Sequence, residues 1–239
     1  MSARTKPVAI VPAAYRAWRE TSLGAVTERL ERTAMLDLMS DLKGARVLDV
    51  GCGDGLLACH VAARGGIVSG VDADPAMLEA ARERANEEVA HVAFFEAGAE
   101  SLPFPNDAFD LVCATTVLGF VKDADRAFVE MARVLRPGDA LVIGELGRRS
   151  LCSAERQPRG WLGSATWRKA RFRDTVEVRA LVERAGLTGK TMRGVAFLPP
   201  LALSARAMAP FDAWLGRRTT FGAAFIALHA VADADSRSQ

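Results

Sequence analysis

The chain has 239 residues, with 31 Lys and Arg against 29 Asp and Glu, a formal net charge of +2, and half of its residues hydrophobic. That is a length one α/β domain can fill around a single core, and the balanced charge excludes a disordered chain and argues against a strongly basic nucleic-acid binder. Cys52, Cys59, Cys113 and Cys152 are too far apart for a C-x-x-C pattern, and with only three histidines no metal site is expected.

The first residues carry Arg4 and Lys6, but Pro7 and Pro12 break the short apolar stretch, so a flexible lead-in is expected rather than a signal peptide. No run approaches the ~20 apolar residues of a membrane helix, and free cysteines fit a cytoplasmic location. Leu23, Val26, Leu30 and Ala34 recur at helical spacing within one helix expected from Ala13 to Met39, ended by Gly44. Apolar strands and helices then alternate: a strand at 45–50, a helix at 56–65, a strand at 67–72, and a helix through about Glu88 capped by Asp74 with Pro75 at its first position. Strands follow at 91–97 and within 109–118, then a helix from Asp123 to Leu135 stopped by Pro137 and Gly138, and a fifth strand at 140–146. Nearly continuous apolar strands separated by helices indicate a parallel sheet covered on both faces. A helix at 175–186 and strands at 187–198 and 221–232 suggest an antiparallel end to the sheet. The expected fold is a single α/β domain, a Rossmann-like doubly wound sheet of about seven strands, mostly parallel, with helices on both faces. Within it, residues 1–44 would form a helical cap, 45–146 a binding core, 147–174 a basic substrate segment and 175–239 the end of the sheet.

The first βα turn reads Gly51-Cys52-Gly53-Asp54-Gly55. Glycine permits a positive φ and lets a ligand approach the backbone, and in such sheets ligands bind beyond the C-terminal strand ends. A tight turn with no ligand would show the same glycines, so two further residues matter. Asp72 ends the second strand about 20 residues on, the spacing at which a carboxylate reaches a ribose diol. Asp49 interrupts an apolar strand, which is costly unless the acid is hydrogen-bonded or functional. Leu56 stands where the dinucleotide fingerprint requires its third glycine, and the acid before the turn suits a cation better than a pyrophosphate. A nicotinamide-dependent oxidoreductase is therefore disfavoured.

The stretch "VLDVGCGDG" at 47–55 resembles motif I of the class I S-adenosylmethionine-dependent methyltransferases, and "GVDADPAML" resembles the motif that follows it. The run from Ala99 to Ile143 is similar to the rest of the core in the group related to ubiquinone/menaquinone-biosynthesis methyltransferases, also described as methyltransferase type 11. The resemblance is strong over about 13–146 and weak over 175–232. It implies S-adenosylmethionine as cofactor, with Gly51, Cys52, Gly53 and Gly55 along its methionine and ribose portions and Asp49 near its amino group. Asp72 would take the ribose hydroxyls, Ala73 and Met77 would pack near adenine, and Ala99 would offer its N–H there, with Glu100 and Leu102 beside it. Thr115 would floor the site near the reactive methyl group. Tyr15 and Trp18 match a "Y-x-x-W" stretch that covers the pocket in some relatives, although packing on the core explains them equally well. The chain departs from the pattern at Gly98, where relatives often carry Asp or Asn, at Gly119, where many have histidine, and at Asp139, the second glycine of "PGG" in relatives, expected in a turn.

Methyl transfer by in-line displacement needs positioning more than a catalytic group. Glu145 is the nearest candidate base, and a structural role suits it as well; His91 and His229 fall in expected strands. From Arg148 to Arg173 seven arginines and Lys169 face one acid, Glu155, with Trp161 and Trp167 between them. Arg148, Arg149, Trp161 and Trp167 are thus candidate contacts to an acidic or aromatic small-molecule substrate, although charge runs more often face water. A non-catalytic S-adenosylmethionine-binding protein and a nucleic-acid methyltransferase are the alternatives, the latter made unlikely by the near-balanced charge and the lack of an N/D-P-P-Y motif.

Overall fold

The computed structural model describes residues 12–39, 41–150, 171–197 and 202–233, with side chains described from 16 and, in the last stretch, from 208 onward. The N-terminal region is two helices, α1 (Pro12–Glu20) and α2 (Ser22–Leu38), where the sequence suggests one. Thr21 makes the break: its hydroxyl accepts the N–H of Gly24 at 3.0 Å and donates to the Trp18 carbonyl at 2.7 Å. Gly24 is required because a Cβ there would stand 2.0 Å from the Trp18 oxygen. Helical periodicity continues through the corner, so it cannot reveal that the axis turns.

The remaining elements follow in chain order. They are β1 (Arg46–Val50), α3 (Leu56–Ala62), β2 (Ile67–Asp72), α4 (Pro75–Glu87), β3 (Val92–Glu96) and β4 (Phe109–Thr115), then a 3-10 turn over Val117–Gly119. After these come α5 (Ala124–Val134), β5 (Leu135–Leu146), α6 (Thr175–Arg184), β6 (Leu187–Val195), α7 (Ala202–Gly216) and β7 (Phe225–Ala232). Asp74 caps α4 by accepting the Ala76 N–H, and Asp174 and Glu177 close a capping box on α6. His91 lies just before β3 and is exposed, whereas His229 is within β7. Helix α7 has no counterpart in the sequence expectations. Its Asp212 is buried and accepts the N–H groups of Ala196 and Phe197, fastening α7 to the end of β6.

The strands form one sheet in the order β3-β2-β1-β4-β5-β7-β6, parallel through β5, with β7 antiparallel to both neighbours. Leu48, Phe128, Ile143 and Leu181 pack on the face covered by α5 and α6, and Met35, Val47, Ala58 and Val142 on the face covered by α2 and α3. Fully burying a side chain such as Phe128 contributes on the order of 2 kcal/mol.

The start of β5 differs from expectation. Helix α5 ends at Val134 and the chain enters the sheet at Leu135, ahead of Pro137. Phe109 pairs with Leu135 but Leu111 pairs with Ala140, so residues 136–139 bulge opposite Asp110, with Gly138 at φ 86°. Asp139 belongs to this bulge within the strand. The strand order reverses between β1 and β4, and there the C-terminal ends of β1, β2, β4 and β5 face one side of the sheet.

Candidate functional site

The turn after β1 has Gly51, Gly53 and Gly55 at φ 69°, 54° and 76°. The Val71 carbonyl on β2 accepts the N–H groups of Gly51 and Cys52 at 2.8 and 2.9 Å, which turns the chain away from the strand. A Cβ at Gly51 would lie 2.3 Å from Cγ2 of Val117, and one at Gly55 would lie 3.1 Å from Cβ of Ala81. Internal packing therefore accounts for those two. A Cβ at Gly53 meets nothing within 4 Å. The middle glycine thus faces open space, as a backbone cradle for a ligand would.

Two carboxylates flank that cradle. Asp72 accepts the Gly53 N–H on Oδ2 and the Asp74 N–H on Oδ1, each at 2.9 Å, and keeps a second acceptor position on each oxygen. Burial raises its pKa, against the pull of these amides. Asp49 is 2% exposed. Its Oδ1 takes the Cys113 thiol, at 3.7 Å, and its Oδ2 has no partner. Burial pushes its pKa up to about 7; Cys113 opposes the shift and Asp72 adds to it. Cys52 is buried beside both acids, and burial and their charge hold it as a thiol. An external cation is the group this pair of acids lacks.

Beyond β3, Ala99 is buried, and Glu100 accepts the Lys122 N–H on Oε1 at 3.0 Å. Its other oxygen lies 3.5 Å from where a Cβ of residue 98 would be, so Glu100 occupies the space beside Gly98. The Leu102 N–H donates to Glu130 at 2.8 Å and Leu102 is buried, which gives it a structural place. Met77 is buried in α4, while Ala73 is exposed at the end of β2.

At the ends of β4 and β5 the hydroxyl of Thr115 is buried without a partner. Glu145 is 1% exposed, and its Oε2 accepts from Arg173 at 2.9 Å. Burial raises its pKa, outweighing the attraction of Arg173. Main-chain bonds from Arg173 to Leu146, Arg148 to Arg173 and Arg171 to Gly119 hold residues 171–173 along the end of β5. Glu145 is thus the buried anchor of that stretch: Oε2 is held by Arg173, and Oε1 is buried without a partner. Gly119 packs closely here, as a Cβ would lie 3.2 Å from the Arg171 carbonyl oxygen.

Arg148 pairs with Glu177 at 2.8 Å and Arg149 approaches Asp174 at 3.7 Å, so the basic stems meet the acids that cap α6. Trp161 and Trp167 lie outside the described residues, as does the side chain of Tyr15; Trp18 is half-buried in α1.

Asp54 was not among the expected site residues. It is 4% exposed and shares Oδ2 between Arg19 of α1 and Arg84 of α4. An acid between two turn glycines was a visible signal; partners 35 and 30 residues away were not. Among the described residues, no group of three or more His, Cys, Asp or Glu could hold a metal ion, and no helix is long and apolar enough to cross a membrane.

Comparison with known proteins identifies the family. Residues 48–143 match a family described as a methyltransferase domain. The chain is 35% identical over 131 residues to the O-methyltransferase rstn1 of Aspergillus nomiae, covering 54% of this chain and 58% of that protein. It therefore spans less than two thirds of that relative. It is 31% identical over 185 residues to a ubiquinone biosynthesis O-methyltransferase of Azorhizobium caulinodans, covering 74% of this chain and 73% of the relative. A crystal structure from Thermotoga maritima, titled an S-adenosylmethionine-dependent methyltransferase and possible histamine N-methyltransferase, superposes with a TM-score of 0.70 at 23% identity, over 92% of this chain and 94% of that one. By motif, fold and relatives, the chain belongs to the class I S-adenosylmethionine-dependent methyltransferases.

Proposed function

We propose that the chain transfers a methyl group from S-adenosylmethionine to a small-molecule acceptor by direct in-line displacement. The observation that carries this reading is the juxtaposition, at the end of β1, of a glycine facing open space with a buried carboxylate oxygen that has no partner. The groups fit the cofactor. Gly51 to Gly55 would line its methionine and ribose portions, and Asp49 would meet its ammonium group. The spare acceptor positions of Asp72 would take the ribose hydroxyls. Met77, Ala99 and Glu100 would border the adenine, and Thr115 would lie below the reacting end.

When bound, the cofactor supplies an electrophilic methyl group on a sulfonium. The chain's contribution is to bind, orient and exclude water. Asp72 fixes the turn through Gly53 before any ligand arrives, so little ordering remains on binding. Holding the partners at attack distance can supply much of the acceleration. Glu145, tied to Arg173, is assigned to holding the acceptor side in shape.

We further assign the acceptor to acidic or aromatic small molecules, on the basic composition of 148–173. Residues 1–44 are assigned as a cap on the core and 175–239 as the far end of the sheet. The free cysteines Cys52, Cys59 and Cys113 favour the cytoplasm.

Calorimetric titration of the folded, cofactor-free protein with S-adenosylmethionine and S-adenosylhomocysteine tests the reading, beside Asp72→Ala. One-to-one binding weakened by roughly a hundredfold or more in the variant is expected, because Asp72 both braces the turn and accepts from the ligand. Failure of the wild type to bind either compound would overturn the proposal. Binding should then be followed by turnover on a panel of acidic and phenolic acceptors.

A further inference from the structure

The ion pairs around Asp54 serve no step of methyl transfer, yet they converge on the cofactor turn. Asp54 stands between Gly53, which faces open space, and Gly55, which packs on Ala81 of α4. Its main-chain carbonyl accepts Arg84 Nε at 2.9 Å and its Oδ2 accepts Arg84 Nη2 at 2.8 Å. Arg84 also reaches Glu88 at 3.1 Å, so this fork is already balanced by two carboxylates. It braces the turn from the side of α4. The same Oδ2 accepts from Arg19 at the end of α1, with both side chains almost completely buried.

Turn geometry does not require this second arginine. What Arg19 adds is a connection to α1, which lies against α2 and α4 and is also joined to α2 through the Thr21 corner. The Trp18 carbonyl takes both the Thr21 hydroxyl and the Thr21 N–H, so the chain leaving α1 cannot swing without breaking that corner or the Arg19 pair.

We infer that Arg19 and Asp54 form a latch that fastens helix α1 to the cofactor turn, so that docking of the N-terminal helix and retention of the cofactor are one coupled event. Arg19 is a positioning residue, since it acts through Asp54. The inference rests on the proposal that the glycine turn holds the cofactor. Coupling between two sites is reciprocal: if docked α1 retains the ligand, the ligand must hold α1 in place to the same degree. A purely structural ion pair has no such reciprocity, because it affects melting temperature and leaves affinity alone.

Arg19→Met separates the two roles, as Asp54 keeps Arg84 and the turn keeps its brace. With S-adenosylhomocysteine as the probe, the variant should bind roughly tenfold more weakly, within the usual range of coupling between sites, through faster dissociation. Arg19→Lys, which keeps the charge without the fork, should recover part of the loss. By hydrogen exchange, the ligand should slow the amides of residues 13–20 in the wild type and much less in Arg19→Met. Equal affinity of wild type and Arg19→Met would overturn the latch and leave the cofactor site standing. So would α1 amides that ignore the ligand. Failure of the folded wild type to bind would instead overturn the cofactor reading and the latch together.

Discussion

The two mouths of the sheet each bury a carboxylate with one unpartnered oxygen, Asp49 at the end of β1 and Glu145 at the end of β5. Both have raised pKa values, and burial is the leading cause in each. Their surroundings differ. Glu145 has its cation from the same chain, Arg173 at 2.9 Å. Asp49 is bordered by a thiol and by the second carboxylate, Asp72. A buried acid with its own guanidinium is a structural joint. A buried acid facing another acid is an unfinished site, stable only in its neutral form until a cation arrives.

The comparison breaks most forcefully at the joint. Arg173→Met leaves Glu145 buried and unpaired, at an expected cost of about 3–5 kcal/mol. For a chain of this size that lowers the melting temperature by roughly 10 °C. Adding Glu145→Gln to Arg173→Met should restore part of the loss, because the uncompensated charge is gone. Thermal unfolding of the three proteins provides the check. A drop under about 2 °C for Arg173→Met would mean that the pair carries little, and Glu145 would return as a candidate base.

Asp49→Asn should do the opposite. The native carboxyl titrates at about 7 against an ordinary value of 3.8, so the folded state holds this proton more tightly than the unfolded state does. The free protein therefore loses stability from this group as pH rises from about 4 to about 7, and the Asn variant escapes that loss. At pH 8 the variant should melt higher than the wild type yet bind S-adenosylhomocysteine roughly tenfold more weakly, as one pH unit of ionisation is worth a factor of ten. At pH 5.5, where Asp49 is protonated in the folded state, the two should converge in affinity, while the gap in melting temperature narrows and closes only near pH 4. Wild-type affinity that stays flat from pH 5.5 to 8 would remove Asp49 from cofactor binding.

The same division governs what the sequence discloses. The β1 mouth is legible because its chemistry is local: apolar strands mark the parallel core, and Asp49, the glycines and Asp72 all lie within 24 residues. The joint at β5 is not, since Arg173 is 28 residues from Glu145 and looks like one more member of a basic run. The partners of Asp54, 35 and 30 residues away, are hidden for the same reason. Helix α7 is hidden by its interior Pro210 and an apolar composition without clear amphipathic spacing. The break at Thr21 depends on a close approach at Gly24 that periodicity does not encode.

Gly119→Ala gives the smallest effect and the finest test of whether the mouths act independently. The added Cβ would sit 3.2 Å from the Arg171 oxygen, while the Gly119 carbonyl already accepts the Arg171 N–H at 2.9 Å. Two residues on, Arg173 is anchored on Glu145, so the stretch can yield only by a few tenths of an ångström. Overpacking of this kind costs about 1 kcal/mol, or about 2–4 °C in melting temperature. Because the strain falls on the β5 side, affinity for S-adenosylhomocysteine should change by less than about twofold, as expected of sites without shared partners. If, as proposed, the acceptor binds at the end of β5, kcat/KM on that acceptor should fall several-fold, since Gly119 and Arg171 pack together there. A matching loss of cofactor affinity would show that strain passes through Val117, which touches Gly51, and that the two mouths respond as one.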